Sequence, residues 1–151
     1  MDKKFYITTP IYYPSAKPHM GHAYSSIIAD FFARFKRMDG FDVQFLTGTD
    51  EHGLKIQRSA EKQNIDPLEF CNQISQTFRD LSQTLNLTNT DFIRTTEERH
   101  KKTVQYLWNE LEKNDDIYLS KYSGWYSISD EAFYNEDEIE DIDGVKRSIS
   151  S

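Results

Sequence analysis

The chain has 151 residues, which suits one domain with a moderate core, and its ten Phe, nine Tyr and two Trp exclude an intrinsically disordered segment. No apolar stretch approaches the ~20 residues that cross a bilayer, and the start Met1-Asp2-Lys3-Lys4 is unlike a signal peptide. We therefore predict a cytoplasmic protein that makes no contact with a membrane.

The net charge of -7 is concentrated near the end of the chain. Eight of the 25 acidic residues lie between Asp130 and Asp143. The 17 acids and 16 bases that precede them give the first 129 residues a net charge of -1. A nearly neutral surface neither attracts nor repels a polyanion. We interpret the acidic run as a solvated loop or hairpin.

The first predicted elements form a βαβ unit. Residues 5–9 have the composition of a buried strand, which Pro10 ends. A helix over residues 23–38 follows, and its apolar residues recur at Tyr24, Ile27, Ile28, Phe31, Phe35 and Met38. Residues 43–47 form a second strand, and the order strand, helix, strand predicts parallel pairing.

Further helices precede a change of pattern. Asp66-Pro67-Leu68-Glu69 has the composition of a helix start and predicts a helix to about Leu85, with the single cysteine, Cys71, as a core residue. Residues 92–96 are ambiguous, and a helix over residues 97–113 has an apolar face of Val104, Leu107, Trp108 and Leu111. Residues 117–134 have the pattern of a β-hairpin, which predicts a domain boundary near residue 115.

Polar clusters follow both strands of the βαβ unit, over residues 12–22 and 47–53. Ligands of open parallel sheets bind outside the carboxyl ends of the strands. If the two strands are neighbours, their loops face one crevice, which brings together His19, His22, Asp50 and His52. Three of the four histidines would then line one pocket.

Four interpretations of this pocket differ in the chemistry that they require. A metal site would use His and Asp as ligands. In the usual helical zinc pair, however, the histidines are four residues apart with a Glu between them, whereas His19 and His22 are three apart and have no Glu between them. A nucleotide phosphate site accounts for the glycine and the helix start as well as the histidines. A glycine-rich dinucleotide turn is excluded, because G-x-G-x-x-G is absent from the sequence. In the remaining interpretation, the histidines only cap the helix, the glycines only form turns, and the pocket binds no ligand.

Three motifs carry a resemblance to a known family. They are Thr9-Pro10-Ile11-Tyr12-Tyr13-Pro14, Pro18-His19-Met20-Gly21-His22-Ala23-Tyr24 and Phe45-Leu46-Thr47-Gly48-Thr49-Asp50-Glu51-His52-Gly53. With these motifs the chain resembles the N-terminal catalytic part of bacterial methionyl-tRNA synthetases. The H-x-G-H element, known as the HIGH motif, is shared across class I synthetases, whereas the third motif is narrower and points to methionine.

The resemblance implies an α/β fold with two parts. Residues 1–115 would be the N-terminal half of a Rossmann-like class I catalytic domain with parallel strands, and residues 116–151 the beginning of an inserted, β-containing connective domain. The implied reaction is the ATP-dependent activation of L-methionine to methionyl-adenylate and its transfer to tRNA(Met), with Mg²⁺ in the ATP complex.

The resemblance also implies roles for single residues. His19 and His22 are expected to be catalytic, and His52 to support its loop. The expected ATP-binding residues are Tyr12, His19, Gly21 and His22. The expected methionine-binding residues are Ile11, Tyr13 and Asp50.

Two departures from the family qualify these expectations. Many relatives bind zinc through a Cys-x-x-Cys knuckle after Gly-Trp-Tyr, where this chain has Ser127-Ile128-Ser129-Asp130, so we predict no zinc. The K-M-S-K-S loop and the anticodon-binding domain are not among the 151 residues. We therefore expect an N-terminal piece of a longer enzyme, which is inactive alone and requires the C-terminal remainder.

Three alternatives to a methionine enzyme stay open. Another class I synthetase, for leucine, isoleucine, valine or cysteine, would share the H-x-G-H element. A metal-dependent hydrolase would hold a transition metal at the histidines. A catalytically silent nucleotide-binding half-domain is the alternative without an activity.

Overall fold

The structure, a computed structural model, describes residues 3–128 and 130–149. The residues outside this description are Met1, Asp2, Ser129, Ser150 and Ser151. One of them, Ser129, belongs to the segment Ser127 to Asp130, for which we predict no zinc.

A three-stranded parallel sheet is the centre of the fold. Its strands are β1 (Lys4–Thr8), β2 (Asp42–Thr49) and β3 (Asp91–Arg94), in the order β1-β2-β3. The predicted pairing of the first two strands is confirmed, and the ambiguous segment over residues 92–96 contributes the third strand. Since all three strands are parallel, their carboxyl ends lie along one edge of the sheet.

Helix α1 (Met20–Met38) packs on this sheet through its small residues. Ala29 and Ala33 form a core cluster with Val43 and Phe45 of β2. The predicted helix is therefore confirmed, but it begins three residues before the predicted start at Ala23. Its large apolar residues lie on the solvent side instead of in the core: Tyr24, Ile27, Ile28, Phe31, Phe35 and Met38 are all exposed.

Two further helices build a second core cluster. Helix α3 (Pro67–Thr84) begins where predicted, because the Asp66 carboxylate accepts hydrogen bonds from the backbone N–H groups of Leu68 and Glu69. Helix α2 (Leu54–Gln63) was not predicted. The two helices meet through Ile56, Ala60, Phe70 and Cys71.

Cys71 is buried at 1% exposure, as predicted for a core residue. Burial, together with the negative charge of Glu51, raises the pKa of the Cys71 thiol to about 11. A thiol with so high a pKa is an inert packing group at neutral pH.

Helix α4 (Glu98–Lys113) confirms the last predicted helix, but none of its 16 residues, all of them described, is buried. Val104, Leu107 and Trp108 of its predicted apolar face are about half exposed. This face is therefore open to solvent.

The region after α4 contains two small antiparallel hairpins, and only the first lies within residues 117–134, where the change of pattern predicts one. Strands β4 (Trp125–Ser127) and β5 (Ala132–Tyr134) form one hairpin, and β6 (Ile139–Ile142) and β7 (Val145–Ser148) form the other. A short 3-10 helix at Glu136–Glu138 lies between them. Most of the acidic run is exposed, in agreement with a solvated segment. Among the described residues, no helix is long and apolar enough to span a membrane.

Candidate functional site

The loop after β1 is attached to the carboxyl end of β2. The backbone N–H of Tyr12 donates to the Gly48 carbonyl at 3.0 Å, and the Asp50 N–H donates to the Tyr12 carbonyl at 2.8 Å. Tyr12 thus pairs with Thr49 as an isolated parallel bridge. The two polar clusters that follow β1 and β2 are therefore joined at the same edge of the sheet.

Two histidines close the first turn of α1. The Nδ1 atom of His19 accepts from the Gly21 N–H at 3.0 Å, and the Nδ1 atom of His22 accepts from the His19 N–H at 3.1 Å. This reciprocal pattern is a capping box made of imidazoles, with ring centroids 3.9 Å apart. Because both Nδ1 atoms accept, each neutral ring carries its proton on Nε2.

The His22 ring is held in its neutral form. Burial, assisted by the nearby His19, lowers the pKa of His22 below its ordinary value of 6.5. Its ring packs edge-on against Tyr12 and Phe78, with centroids 4.9 and 5.1 Å away. His22 therefore presents a fixed Nε2–H donor near neutral pH.

A cavity of about 480 Å³ lies beside this cap. Its polar lining includes Lys17, His19, His22, Ser25 and Lys55, and its apolar wall includes Ile11, Tyr12 and Tyr13. Cationic and N–H-bearing groups thus converge at the positive end of the α1 dipole, which suits a phosphate or another anion.

Tyr12 packs against the histidine cap and bonds α1. It is buried at 6% exposure, and its ring stacks on Phe78 with centroids 5.5 Å apart. Its hydroxyl lies 2.8 Å from the Ser26 hydroxyl and 3.0 Å from the Ser25 hydroxyl. The Tyr12 hydroxyl is thus engaged by α1, although the residue still lines the cavity.

Two glycines occupy positions without room for a side chain. A Cβ atom on Gly21 would lie 2.9 Å from Cε1 of His19, and one on Gly48 would lie 2.0 Å from the carbonyl oxygen of Ile93. Gly48 is thus required by the packing of β2 on β3, and Gly21 by the position of the His19 ring.

Asp50 and His52 meet at a different point, the hydroxyl of Thr95. Thr95 Oγ1 lies 3.4 Å from Asp50 Oδ1 and 3.0 Å from His52 Nδ1, and it accepts from the Glu51 N–H at 2.8 Å. The structure therefore separates the four predicted side chains into two pairs. His19 and His22 line the cavity, whereas Asp50 and His52 converge on the loop after β3.

Glu51 anchors this second pair. Its fully buried side chain accepts from Arg94 Nε at 2.7 Å, from Thr49 Oγ1 at 2.8 Å and from the Thr96 hydroxyl. Burial by itself raises the pKa of the Glu51 carboxyl, but these hydrogen bonds and the Arg94 charge outweigh burial and bring the pKa below its ordinary value. Glu51 is thus an ionised carboxylate that joins the loops after β2 and β3.

Sequence reasoning missed several residues of this edge. Lys55 lines the cavity from α2, a helix that was not predicted, and Thr95 lies in a segment whose structure was ambiguous. The carboxylate of Glu131, in the turn between β4 and β5, accepts from the Lys55 N–H at 3.4 Å and lies 4.0 Å from Nζ of Lys55. The contact between Glu51 and Thr95 joins residues 44 positions apart, and that between Lys55 and Glu131 joins residues 76 positions apart. Local sequence patterns cannot predict contacts between residues so far apart.

The interpretation as a metal site can be compared with the described residues. Within residues 3–128 and 130–149, no group of three or more His, Cys, Asp or Glu side chains is arranged to hold a metal ion. The histidines instead use their Nδ1 atoms within the helix cap.

The parallel sheet and the histidine cap of its first helix belong to the N-terminal part of a class I aminoacyl-tRNA synthetase catalytic domain. The fold is shared with an Agrobacterium radiobacter LeuRS solved as a ternary complex, at a TM-score of 0.73 and 20% identity, over 97% of this chain and 20% of that one. The chain belongs to the family of tRNA synthetases class I (M), whose family model matches residues 5–144.

Curated relatives of the chain are methionine–tRNA ligases. The protein from Rickettsia bellii is 54% identical over 139 residues, which are 92% of this chain and 27% of the relative. The protein from Bacillus subtilis is also 54% identical over 139 residues, which are 92% of this chain and 21% of the relative. The chain thus spans about a quarter of the length of the curated relatives that it matches.

The fold also matches crystal structures of Mycobacterium tuberculosis methionyl-tRNA synthetase. The form bound by methionyl-adenylate superposes with a TM-score of 0.94 at 44% identity, over 99% of this chain and 30% of that one. The apo form superposes with a TM-score of 0.70 at 40% identity, over 99% of this chain and 27% of that one. The conformation of this chain is therefore more similar to the adenylate-bound form.

Proposed function

We propose that the chain is the N-terminal catalytic part of a methionine–tRNA ligase, which activates L-methionine with ATP and transfers it to tRNA(Met). The observation that carries the proposal is the histidine cap of α1, which leaves two Nε2–H donors beside a cavity with an apolar wall. The likeness to a synthetase bound by methionyl-adenylate supports it.

In the proposed first step, a carboxylate oxygen of methionine forms a bond to the α-phosphorus of ATP. The bond from that phosphorus to the bridging oxygen breaks, and pyrophosphate leaves. His19 and His22 would donate their Nε2–H groups to phosphate oxygens as negative charge shifts during the transfer. The N-terminus of α1 adds a favourable dipole, and Gly21 leaves room for the His19 ring and the nucleotide.

We assign the methionine pocket to Ile11, Tyr13 and Asp50. Ile11 and Tyr13 line the cavity with apolar and aromatic surface, which suits a thioether. Asp50 would bind the ammonium group through a charge-assisted hydrogen bond. In this proposal Tyr12 contributes to the ATP site through its position under His22, because its hydroxyl is already bound to α1.

Mg²⁺ would enter this site together with ATP. The charged side chains that line the cavity are the cationic Lys17 and Lys55, so the phosphates and water would supply the oxygen ligands that Mg²⁺ requires. When bound, Mg²⁺ neutralises phosphate charge. We retain the prediction of no zinc at Ser127 to Asp130, since hydroxyl and carboxylate groups cannot replace two thiolates.

The whole activity would require the residues that correspond to the other three-quarters of the relatives' length. We expect these residues to contribute the remaining sheet, the second ATP signature and the surface that reads tRNA. The boundary near residue 115 and a location in the cytoplasm are part of the same proposal.

A chimeric enzyme tests the proposal. This chain would replace the matching segment of the Bacillus subtilis ligase, and methionine-dependent exchange between ATP and pyrophosphate would be measured. We expect activity in the chimera and a loss of about a hundredfold or more in His22→Ala, by analogy with the removal of one transition-state donor. His100→Ala, the same change at a partly exposed residue of α4 that does not line the cavity, is the matched control and should leave the exchange rate unchanged.

Two results would contradict the proposal. One is a folded chimera with no methionine-dependent exchange. The other is exchange that leucine, isoleucine, valine or cysteine supports better than methionine, which would assign the site to another class I synthetase.

A further inference from the structure

We propose that Thr95 is a positioning residue for Asp50, and that His52 directs the Thr95 hydroxyl proton toward the Asp50 carboxylate. This inference rests on the proposed function, in which Asp50 binds the substrate ammonium. It assigns a role to His52 and adds Thr95 to the amino-acid site.

A count of protons and lone pairs at the Thr95 hydroxyl fixes the direction of each hydrogen bond. A hydroxyl has one proton to donate and two lone pairs that accept. Its three neighbours are the Glu51 N–H at 2.8 Å, His52 Nδ1 at 3.0 Å and Asp50 Oδ1 at 3.4 Å. The Glu51 N–H can only donate and the Asp50 carboxylate can only accept. The three contacts are all favourable only if His52 Nδ1 carries a proton.

The tautomer of His52 therefore decides whether Asp50 has a partner. With the proton on Nδ1, His52 donates to Thr95 and the hydroxyl proton is left for Asp50. With the neutral ring protonated on Nε2, the Nδ1 atom would compete for that single proton and Asp50 would face a lone pair. His52 thus requires the tautomer opposite to that of His19 and His22, whose Nδ1 atoms accept.

Thr95 can orient Asp50 because its own position is fixed. It is 8% exposed, and its backbone N–H donates to the Thr49 carbonyl at 3.1 Å. Its neighbours Arg94 and Thr96 both bind the buried Glu51 carboxylate. Asp50 is held from the other side, where its N–H donates to Tyr12. The carboxylate is therefore placed between two loops that the buried ion pair joins.

Substitutions of Thr95 in the chimeric enzyme test this role. Thr95→Val keeps the shape and removes the hydroxyl, and we expect the KM for methionine to rise about ten- to hundredfold, the effect of losing a hydrogen bond to a charged group. The kcat and the KM for ATP should stay within about twofold, since Thr95 contacts the amino-acid side of the site and does not line the cavity assigned to ATP. Thr95→Ser keeps the hydroxyl and should restore the KM. Thr77→Val is the matched control, since among the described residues the Thr77 hydroxyl bonds the Ile74 carbonyl and lies outside the site.

The His52 part of the inference has its own test. His52→Asn keeps an N–H donor near the position of Nδ1 and should retain the KM for methionine, whereas His52→Ala should raise it. The ¹⁵N and ¹³C chemical shifts of the wild-type ring should report the Nδ1–H tautomer, a measurement that requires no variant to fold.

The results that overturn this inference differ from those that overturn the proposed function. An active chimera whose KM for methionine is unchanged in Thr95→Val, or raised equally in Thr95→Ser, contradicts the positioning role alone. An Nε2–H tautomer of His52 in the wild-type protein contradicts the proton direction. A folded chimera without methionine-dependent exchange contradicts the proposed function itself.

Discussion

Imidazole is an unusual N-cap, and its use at α1 has a consequence for the chemistry of the cavity. Serine or aspartate would satisfy the same backbone N–H groups through an oxygen, but an ionised aspartate has no donor for an anion, and the serine proton lies on the capping oxygen itself. An imidazole has two ring nitrogens that point in different directions. His19 and His22 can therefore cap the helix with Nδ1 and donate a hydrogen bond to an anion with Nε2–H.

The depressed pKa of His22 predicts how the residue titrates. Its pKa in an NMR titration should lie below 6.5, and His19→Gln should restore only part of the shift, because burial is the larger cause. A folded pKa below the unfolded value means that the unfolded chain binds more protons between the two values. The contribution of His22 to stability is thus complete above about pH 6.5 and is lost as pH falls toward the folded pKa. A His22 pKa at or above 6.5 would contradict this account.

Gly21→Ala separates the effect on stability from the effect on activity. The new Cβ displaces the His19 ring, which costs about 1 kcal/mol for the lost cap. Replacing glycine by alanine within a helix gains about the same amount. We expect a free energy of unfolding close to that of the wild type and a strongly reduced exchange rate in the chimera. A variant with the wild-type exchange rate would contradict the assignment of the His19 ring to the ATP site.

At the scale of elements, the loops after β2 and β3 depend on one buried ion pair. Glu51 lies in the loop after β2, Arg94 is the last residue of β3, and the carboxylate also accepts from two threonine hydroxyls. Removing one partner of a buried pair leaves an uncompensated charge, which is more costly than the loss of an exposed pair.

Arg94→Met should therefore lower the free energy of unfolding at neutral pH by about 3–5 kcal/mol. The Glu51 carboxyl has a pKa below its ordinary 4.5, so its contribution is complete above that pH and is lost as pH falls through the folded pKa. The deficit of the variant should accordingly shrink in acid. Chemical denaturation across this pH range, at concentrations low enough to keep the chain monomeric, would measure it.

Arg99→Met is the matched control for this prediction. Arg99 pairs with Asp91 at the surface, with the two side chains 50% and 36% exposed, and its loss should cost at most about 1 kcal/mol. Equal losses in the two variants would show that the burial of Glu51 has no special effect.

Helix α3, which the sequence predicted, has recognisable capping residues at its start, whereas helix α2, which the sequence missed, has no capping side chain. α3 was found because Asp66 and Pro67 are local start signals, and the structure shows the Asp66 cap. α2 has only Gly53 at its N-cap, with no side-chain hydrogen bond, so no local start signal existed. The start of α1 was placed three residues late because histidine is not a usual capping residue.

The candidate site divides in the same way. His19 and His22 were predicted to be close because only two residues separate them in the sequence. Their grouping with Asp50 and His52 followed from strand order alone, which determines the edge of the sheet and not the direction of each side chain. Thr95 organises Asp50 and His52 through contacts across 45 and 43 residues, which periodicity and spacing cannot reveal.

At the scale of the whole molecule, the described residues leave a large apolar surface uncovered. The outer side of α1 exposes Tyr24, Ile27, Phe31 and Phe35, while α4 exposes Leu107 and Trp108. β1 is also an edge strand of the sheet. Exposed apolar helices and an open strand edge favour association with other chains.

We expect the 151-residue chain, produced alone, to self-associate through the outer face of α1. The double change Phe31→Glu and Phe35→Lys, which also forms an i,i+4 ion pair, should raise the monomer fraction in light scattering. Leu119→Glu changes a fully exposed apolar side chain outside α1 and should have little effect. An unchanged monomer fraction in the double variant would exclude α1 as the contact.

The carboxylate of Glu131 at the start of α2 has a consequence for synthesis on the ribosome. The Lys55 N–H finds its acceptor 76 residues later in the chain. At ~5–20 residues per second, that acceptor is made about 4 to 15 s after the helix itself. During this interval the first turn of α2, which places Lys55 in the lining of the cavity, has only Gly53 at its N-cap. The hairpin β4–β5 thus supplies a late contact to the start of α2, made by a residue far along the chain.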